Sequence, residues 1–104
     1  AAVKSNGVFC LNLLAQTQAA LAESFAGRSK TLPNYDFSSA EWKGGVTGSR
    51  CLMGAVASFD CQVESITEAG THSVFIGRVM HIETDSAAPL AYQNRMFGRI
   101  MPLE

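Results

Sequence analysis

The chain has 104 residues, of which 47% are hydrophobic and 16% charged, with a formal net charge of −1. That length allows a single domain, residues 1–104, able to bury roughly two thirds of its unfolded surface. The composition excludes intrinsic disorder, which needs low hydrophobicity and high net charge, and the scattered Lys and Arg provide no basic stripe for nucleic acid.

Every apolar run is interrupted within a few residues by Ser, Gly or a charge, so none is long enough to span a bilayer. A low charge content also implies that some apolar surface is covered by a subunit, a cofactor or further chain. The opening "AAVKSNG" has no Met and enters an apolar segment almost at once. This suggests that the sequence begins inside a domain.

In chain order, "GVFCLNLLA" (Gly7 to Ala15) reads as a buried strand, short and apolar between Asn-Gly and a polar run. "QTQAALAESFAGR" reads as a helix, with Leu14, Gln18, Leu21, Ala22 and Phe25 at three- and four-residue spacing. Thr17 is a candidate cap for its start. Gly27 stands where a helix takes a left-handed residue at its end, and Arg28 follows it beside the C-terminal dipole. From Arg28 to Arg50 the chain turns irregular, punctuated by Pro33, Asn34, Gly44, Gly45 and Gly48, with "SSAEW" as one short helical turn. Loops this long are more often functional or interface-forming than decorative.

"LMGAVASFDCQVESIT" reads as a long strand. Ala57, Phe59, Cys61 and Val63 alternate on one face, and Ser58, Asp60, Gln62 and Glu64 on the other. "EAGTH" supplies a turn with Gly70 as its permissive residue, and "HSVFIGRVMHIETD" returns antiparallel. "PLAYQNRMF" reads as one last strand, with Pro89 at its start. The result is a β-rich chain with one clear helix and with sheet edges that need covering.

Little classical catalytic chemistry is on offer. The three cysteines, Cys10, Cys51 and Cys61, are odd in number, form no CxxC and lie in apolar segments. They read as buried thiols in a reducing compartment, which places the protein in the cytoplasm, and Cys and His never cluster at metal-ligand spacing. His72 and His81 are the only histidines, nine apart on one strand, and no GxSxG accompanies them. "GGVTG" lacks the spacing of a dinucleotide fingerprint. Two segments combine small or aromatic residues with arginine: "SFAGR" at the helix end and "YQNRMF" near the C-terminus. The first suits close approach of a flat ligand walled by Phe25, or an ordinary helix cap; the second suits a planar anion beside an aromatic surface, or a half-exposed strand.

Taken in order, "NGVFCLNLL…LAESFAGR", "TGSRCLMGAVASFDCQVES", "GTHSVFIGRV" and "PLAYQNRMF" resemble the flavin-reductase-like domain, the FMN-binding split-barrel family. The resemblance runs from about Val3 to Phe97, and the family's strands before "NGxFxxN" have no counterpart in the sequence. It implies a mainly β fold: a six-stranded antiparallel split barrel of Greek-key type with a few helices, normally a homodimer. It implies NADH- or NADPH-dependent reduction of FMN or FAD, the reduced flavin passing to a flavin-dependent monooxygenase component. By the same resemblance Phe25, Ala26 and Gly27 border the flavin, His72 lines the nicotinamide side as the catalytic candidate, and Arg95 and Phe97 lie near flavin or nicotinamide. The alternative within the fold is an FMN-binding electron carrier or sensor without free-flavin turnover.

Overall fold

The computed structural model of the protein describes residues 2–103. Its elements are α1 (Ala2–Asn6), β1 (Val8–Leu13), a 3-10 turn (Gln16–Gln18) running into α2 (Ala19–Phe25), and a second 3-10 turn (Phe37–Ser39). Then follow β2 (Trp42–Gly44), β3 (Arg50–Leu52), β4 (Ala57–Ala69), β5 (His72–Thr84), β6 (Leu90–Gln93) and β7 (Met96–Arg99). The protein is mainly β, as the sequence implies. No helix among the described residues is long and apolar enough to cross a membrane.

The described strands form three antiparallel sheets, β1-β4-β5, β2-β3 and β6-β7, seven strands in all. This differs from the six strands of one closed barrel expected from the resemblance. β1 and β5 are the outer strands of the main sheet, and no described strand bridges their free edges.

The long hairpin is the backbone of the fold. Ala69 pairs with His72 across the two-residue turn Gly70-Thr71, where Gly70 has φ +62°. At that φ a side chain is strained, which is why glycine stands there. β1 pairs with the first part of β4 only, from Leu13↔Ala57 to Val8↔Gln62. Between Val63 and Ala69 the hairpin continues alone, roughly 20 Å of strand. The register slips at Asp60/Cys61 and at Val63/Ser65. Such bulges sharpen the twist and bend the ribbon.

Two readings of the sequence change, and the polar face of β4 is solvated only from Gln62 onward. "LMGAVASFDCQVESIT" is not one strand: Leu52 ends β3, the chain turns at Gly54 (φ +81°), and β4 starts at Ala57. "PLAYQNRMF" is a hairpin, since Asn94 and Arg95 adopt φ of 53° and 63° and fold β7 back on β6. Two successive positive-φ residues make the turn whose twist matches paired strands. The face of Ser58 and Asp60 is not solvated. Ser58 is 6% and Asp60 1% exposed, because the β2-β3 hairpin and its loop lie over them.

α2 begins without a Thr17 cap; instead the Gln18 side chain reaches back to accept from the Ala15 amide at 2.9 Å. Its end is as the sequence predicts. Gly27 has φ +72°, its amide donates to the Ser24 carbonyl at 3.1 Å, and the Arg28 amide donates to the Glu23 carbonyl at 2.9 Å. These two bonds close the helix C-terminus. Leu21 packs with Leu52 and Ala55 as a small core, with Leu14, Phe25, Ala40 and Trp42 around it. Outside it much apolar surface stays half exposed, including Leu11 and Leu13 on β1 and Val74, Ile76, Val79, Met80 and Ile82 on β5.

Candidate functional site

A groove of about 1060 Å³ opens between β1, α2 and the segment from Phe37 to Leu52. Its size is that of a large cofactor site. Leu14, Leu21 and Leu52 give it an apolar floor, and Asn12, Thr47, Ser49 and Arg50 add polar groups.

The aromatic wall is built by the irregular segment folding onto α2. Ser24, fully buried, donates from its hydroxyl to the Pro33 carbonyl at 2.5 Å and accepts from the Asp36 amide at 3.0 Å. Asp36 in turn accepts from the Ser38 amide at 3.2 Å and starts the 3-10 turn. These bonds carry Phe37 to Phe25, with ring centres 4.9 Å apart and edge to face. Trp42 sits 5.9 Å from Phe25 and 5.1 Å from Phe37, and its indole N–H donates to the Phe37 carbonyl at 2.9 Å. The Arg50 guanidinium lies 4.5 Å from the centre of the Phe37 ring. A cation over an aromatic face is attracted to it and held in place.

The loop from Thr47 to Arg50 is anchored by Asp60. Asp60 is buried on β4, and both its oxygens accept from Thr47: Oδ1 from the hydroxyl at 2.5 Å and Oδ2 from the amide at 3.1 Å. The Ser49 hydroxyl in turn donates to Thr47 Oγ1 at 3.0 Å. Asp60 therefore fixes the loop that presents Thr47, Ser49 and Arg50 to the groove. On β1, Asn12 Oδ1 accepts from the Leu52 amide at 3.0 Å and the Ser58 hydroxyl at 2.8 Å, joining the two walls. The Cys10 thiol beside it is pushed up to about 12, first by burial and then by its contact with Cys51. Burial, with the Asp60 charge nearby, raises the Cys61 thiol as well. Both therefore stay protonated at neutral pH.

Of the residues singled out in the sequence, Phe25 lines the groove. Ala26 and Gly27 close the helix just beyond it, where a Cβ on Gly27 would meet Asn34 at 3.6 Å. Arg95 occupies the β6-β7 turn, and Phe97 packs on Tyr92 with ring centres 4.9 Å apart. Phe97 faces a separate cleft with Thr17, Leu90 and Arg99. The two groups are connected, because Arg28 donates to the Tyr92 phenol at 3.0 Å. His72 stands apart at the exposed turn end of the long hairpin and lines neither the groove nor the cleft. Sequence reasoning missed Asn12, Thr47, Ser49, Arg50, Phe37 and Trp42. Asn12 lies in "NGVFCLNLL" and Thr47, Ser49 and Arg50 in "TGSR", motifs that carry the resemblance, whereas only the length of the irregular segment signalled Phe37 and Trp42.

Comparison with known proteins gives a consistent picture. The family model described as "Flavin reductase like domain" matches residues 1–101. The FMN reductase (NADH) RutF of Cronobacter sakazakii is 41% identical over 95 residues, covering 90% of this chain and 56% of that protein. RutF of Ancylobacter novellus is 38% identical over 100 residues, covering 95% and 54%. The chain thus spans about half the length of the curated relatives it matches. Among solved structures, the styrene monooxygenase flavin reductase of Pseudomonas putida S12 superposes with a TM-score of 0.74 at 27% identity, covering 97% of this chain and 63% of that one. The flavin reductase PheA2 gives 0.83 at 26% identity, covering 97% and 62%. The order of motifs, the long hairpin and these matches lead to one conclusion: the chain belongs to the flavin reductase like domain family.

Proposed function

We propose that the protein reduces FMN or FAD with NADH or NADPH and that this chain supplies much of the flavin side of the site. The observation that carries the reading is the groove itself. It brings three aromatic rings, including Phe25 at the capped end of α2, together with Arg50, Thr47 and Ser49 in one lining. A flat, apolar ring system with a polar or anionic tail fits such a lining. The names of the relatives, FMN reductase (NADH) and flavin reductase components, support the same activity.

Bound flavin supplies the hydride acceptor, so the protein needs no nucleophile or metal of its own. Phe25 and Trp42 exclude water from one side of the ring. Ala26 and Gly27 would border the flavin at the helix end. Arg50 and the hydroxyls of Thr47 and Ser49 hold the polar part. His72 positions the nicotinamide, with Arg95 and Phe97 as further contacts. Orienting two reactants face to face is the main catalytic contribution of such a site.

His72 lies away from the groove of its own chain, and the half-exposed apolar residues of β1 and β5 favour a homodimer that covers them. By this reading the protein forms the six-stranded split barrel of its family as one domain, works in the cytoplasm, and passes reduced flavin to a partner monooxygenase. Trp42 is the chain's one tryptophan, so FMN added to this chain should quench its fluorescence. Titration with FMN and FAD that leaves this emission unchanged would remove the groove from the account.

A further inference from the structure

We propose that Cys10 and Cys51 form a reversible disulfide that ties β1 to β3 through the wall of the groove. The two sulfurs are 3.0 Å apart although the residues are 41 positions apart in sequence. Both are free thiols; Cys51 is buried, and Cys10 is partly exposed and lines the groove. A disulfide bond is about 2.05 Å long, so the pair needs to close by about 1 Å. Cys61, also buried, is directed elsewhere, its thiol donating to the Phe59 carbonyl at 3.4 Å. β1 and β3 belong to different sheets and are otherwise joined here through Asn12.

The oxidant is a peroxide. One sulfur, as its thiolate, attacks the O–O bond and becomes a sulfenic acid while the departing oxygen leaves as water. The second sulfur then displaces the sulfenic oxygen as a second water. Two thiols lose two electrons and two protons, and one hydrogen peroxide becomes two waters. Dithiol reductants reverse the bond by exchange. With the Cys10 thiol held protonated at neutral pH, the reaction is slow there and accelerates as the pH rises. The pair thus behaves as a lock set by sustained oxidation. Reduced flavin that escapes to dioxygen is one source of the peroxide; only that source, and not the bond, rests on the proposed flavin reduction.

The test is a peptide map of the full-length protein treated with hydrogen peroxide at about pH 9, where the thiolate fraction is higher than at neutral pH, and digested without reductant. A Cys10–Cys51 cross-linked peptide is expected, lighter by two hydrogens than its parts and released by dithiothreitol. It should persist in Cys61→Ser and vanish in Cys10→Ser. The oxidised protein should melt roughly 10 °C higher than the reduced one, because the bond closes a long loop of the unfolded chain. The map on the unsubstituted protein decides the matter even if a variant fails to fold, and it needs no flavin. Thiols left unmodified, Cys10 carried straight to sulfinic acid, a Cys10–Cys61 link or bonds between molecules would each overturn the proposal.

Discussion

Arg28 donates to the phenol oxygen of Tyr92 at 3.0 Å, with its guanidinium carbon 5.5 Å from the centre of the same ring. The residue after the capping glycine of α2 thereby holds the β6-β7 hairpin. Both residues are exposed, so the contact is worth about 0.5–1 kcal/mol. Tyr92→Phe should lose only the hydrogen-bond part, since the ring still packs on Phe97. A double-mutant cycle with Arg28→Ala, followed by urea unfolding, should return a coupling in that range. A coupling of zero would mean the hairpin is held by other contacts.

Asp60→Asn should destabilise by about 1–3 kcal/mol, because one acceptor becomes a donor facing the Thr47 amide or hydroxyl in a buried site. Gly45→Ala should act on the same spot by crowding. Its Cβ would fall within 2.9 Å of the Cys51 sulfur and closer still to the Asp60 carboxylate. Overpacking of this kind costs about 1–3 kcal/mol. In both variants the Thr47–Arg50 rim should loosen and flavin affinity should fall, measured by titration at a temperature where the fold is intact.

The pH dependence has two limbs of opposite sign. Hydrogen bonds from Lys4, then Ser73, hold the Glu68 carboxyl below its ordinary value, and Lys43 does the same for Glu83, with His81 a lesser contributor. A depressed carboxyl contributes stability above its unfolded value of about 4.3, and that contribution is lost as the pH falls through the folded value. Both pairs are exposed, so the acid limb should be shallow and should flatten further in high salt. Cys10 runs the other way. Its raised thiol contributes fully below about pH 8.5, and that contribution disappears as the pH rises toward the folded value. Under reducing conditions, Cys10→Ser should flatten the fall in stability between about pH 9 and 12. An unchanged alkaline limb would show that the thiol is not the group responsible.

His72→Ala should raise KM for NADH by about tenfold, the loss of one or two hydrogen bonds, while leaving the flavin dissociation constant near that of the parent. Because His72 is exposed and sits at a hairpin end, the melting temperature should hardly move. Equal losses in nicotinamide and flavin binding would point to a structural role.

Much of the frame is legible in the sequence where local chemistry and tertiary context agree. Gly27 and Gly70 mark a helix end and a hairpin turn because those conformations strain other residues. The alternation from Ala57 onward locates β4. The β2-β3 hairpin is not legible, since strands of three residues are too short to show a period. The β6-β7 turn hides because Arg95 adopts a left-handed conformation that its residue type does not advertise. Asp60 misleads for a different reason. Alternation assigns it to a polar face, but the Thr47 loop, distant in sequence, covers that face and satisfies it. The groove follows the same rule. Phe25 belongs to a motif, whereas Phe37, Trp42 and Arg50 reach it only through the buried bonds of Ser24 and Asp60.

The most direct test of flavin reduction is a steady-state assay on the full-length protein, with NADH or NADPH and catalytic amounts of enzyme. Loss of nicotinamide absorbance should require added FMN or FAD, saturate with each flavin that binds, and slow in Phe25→Ala. No nicotinamide oxidation with either flavin, from folded protein that binds FMN, would contradict the reductase and leave the flavin carrier in its place.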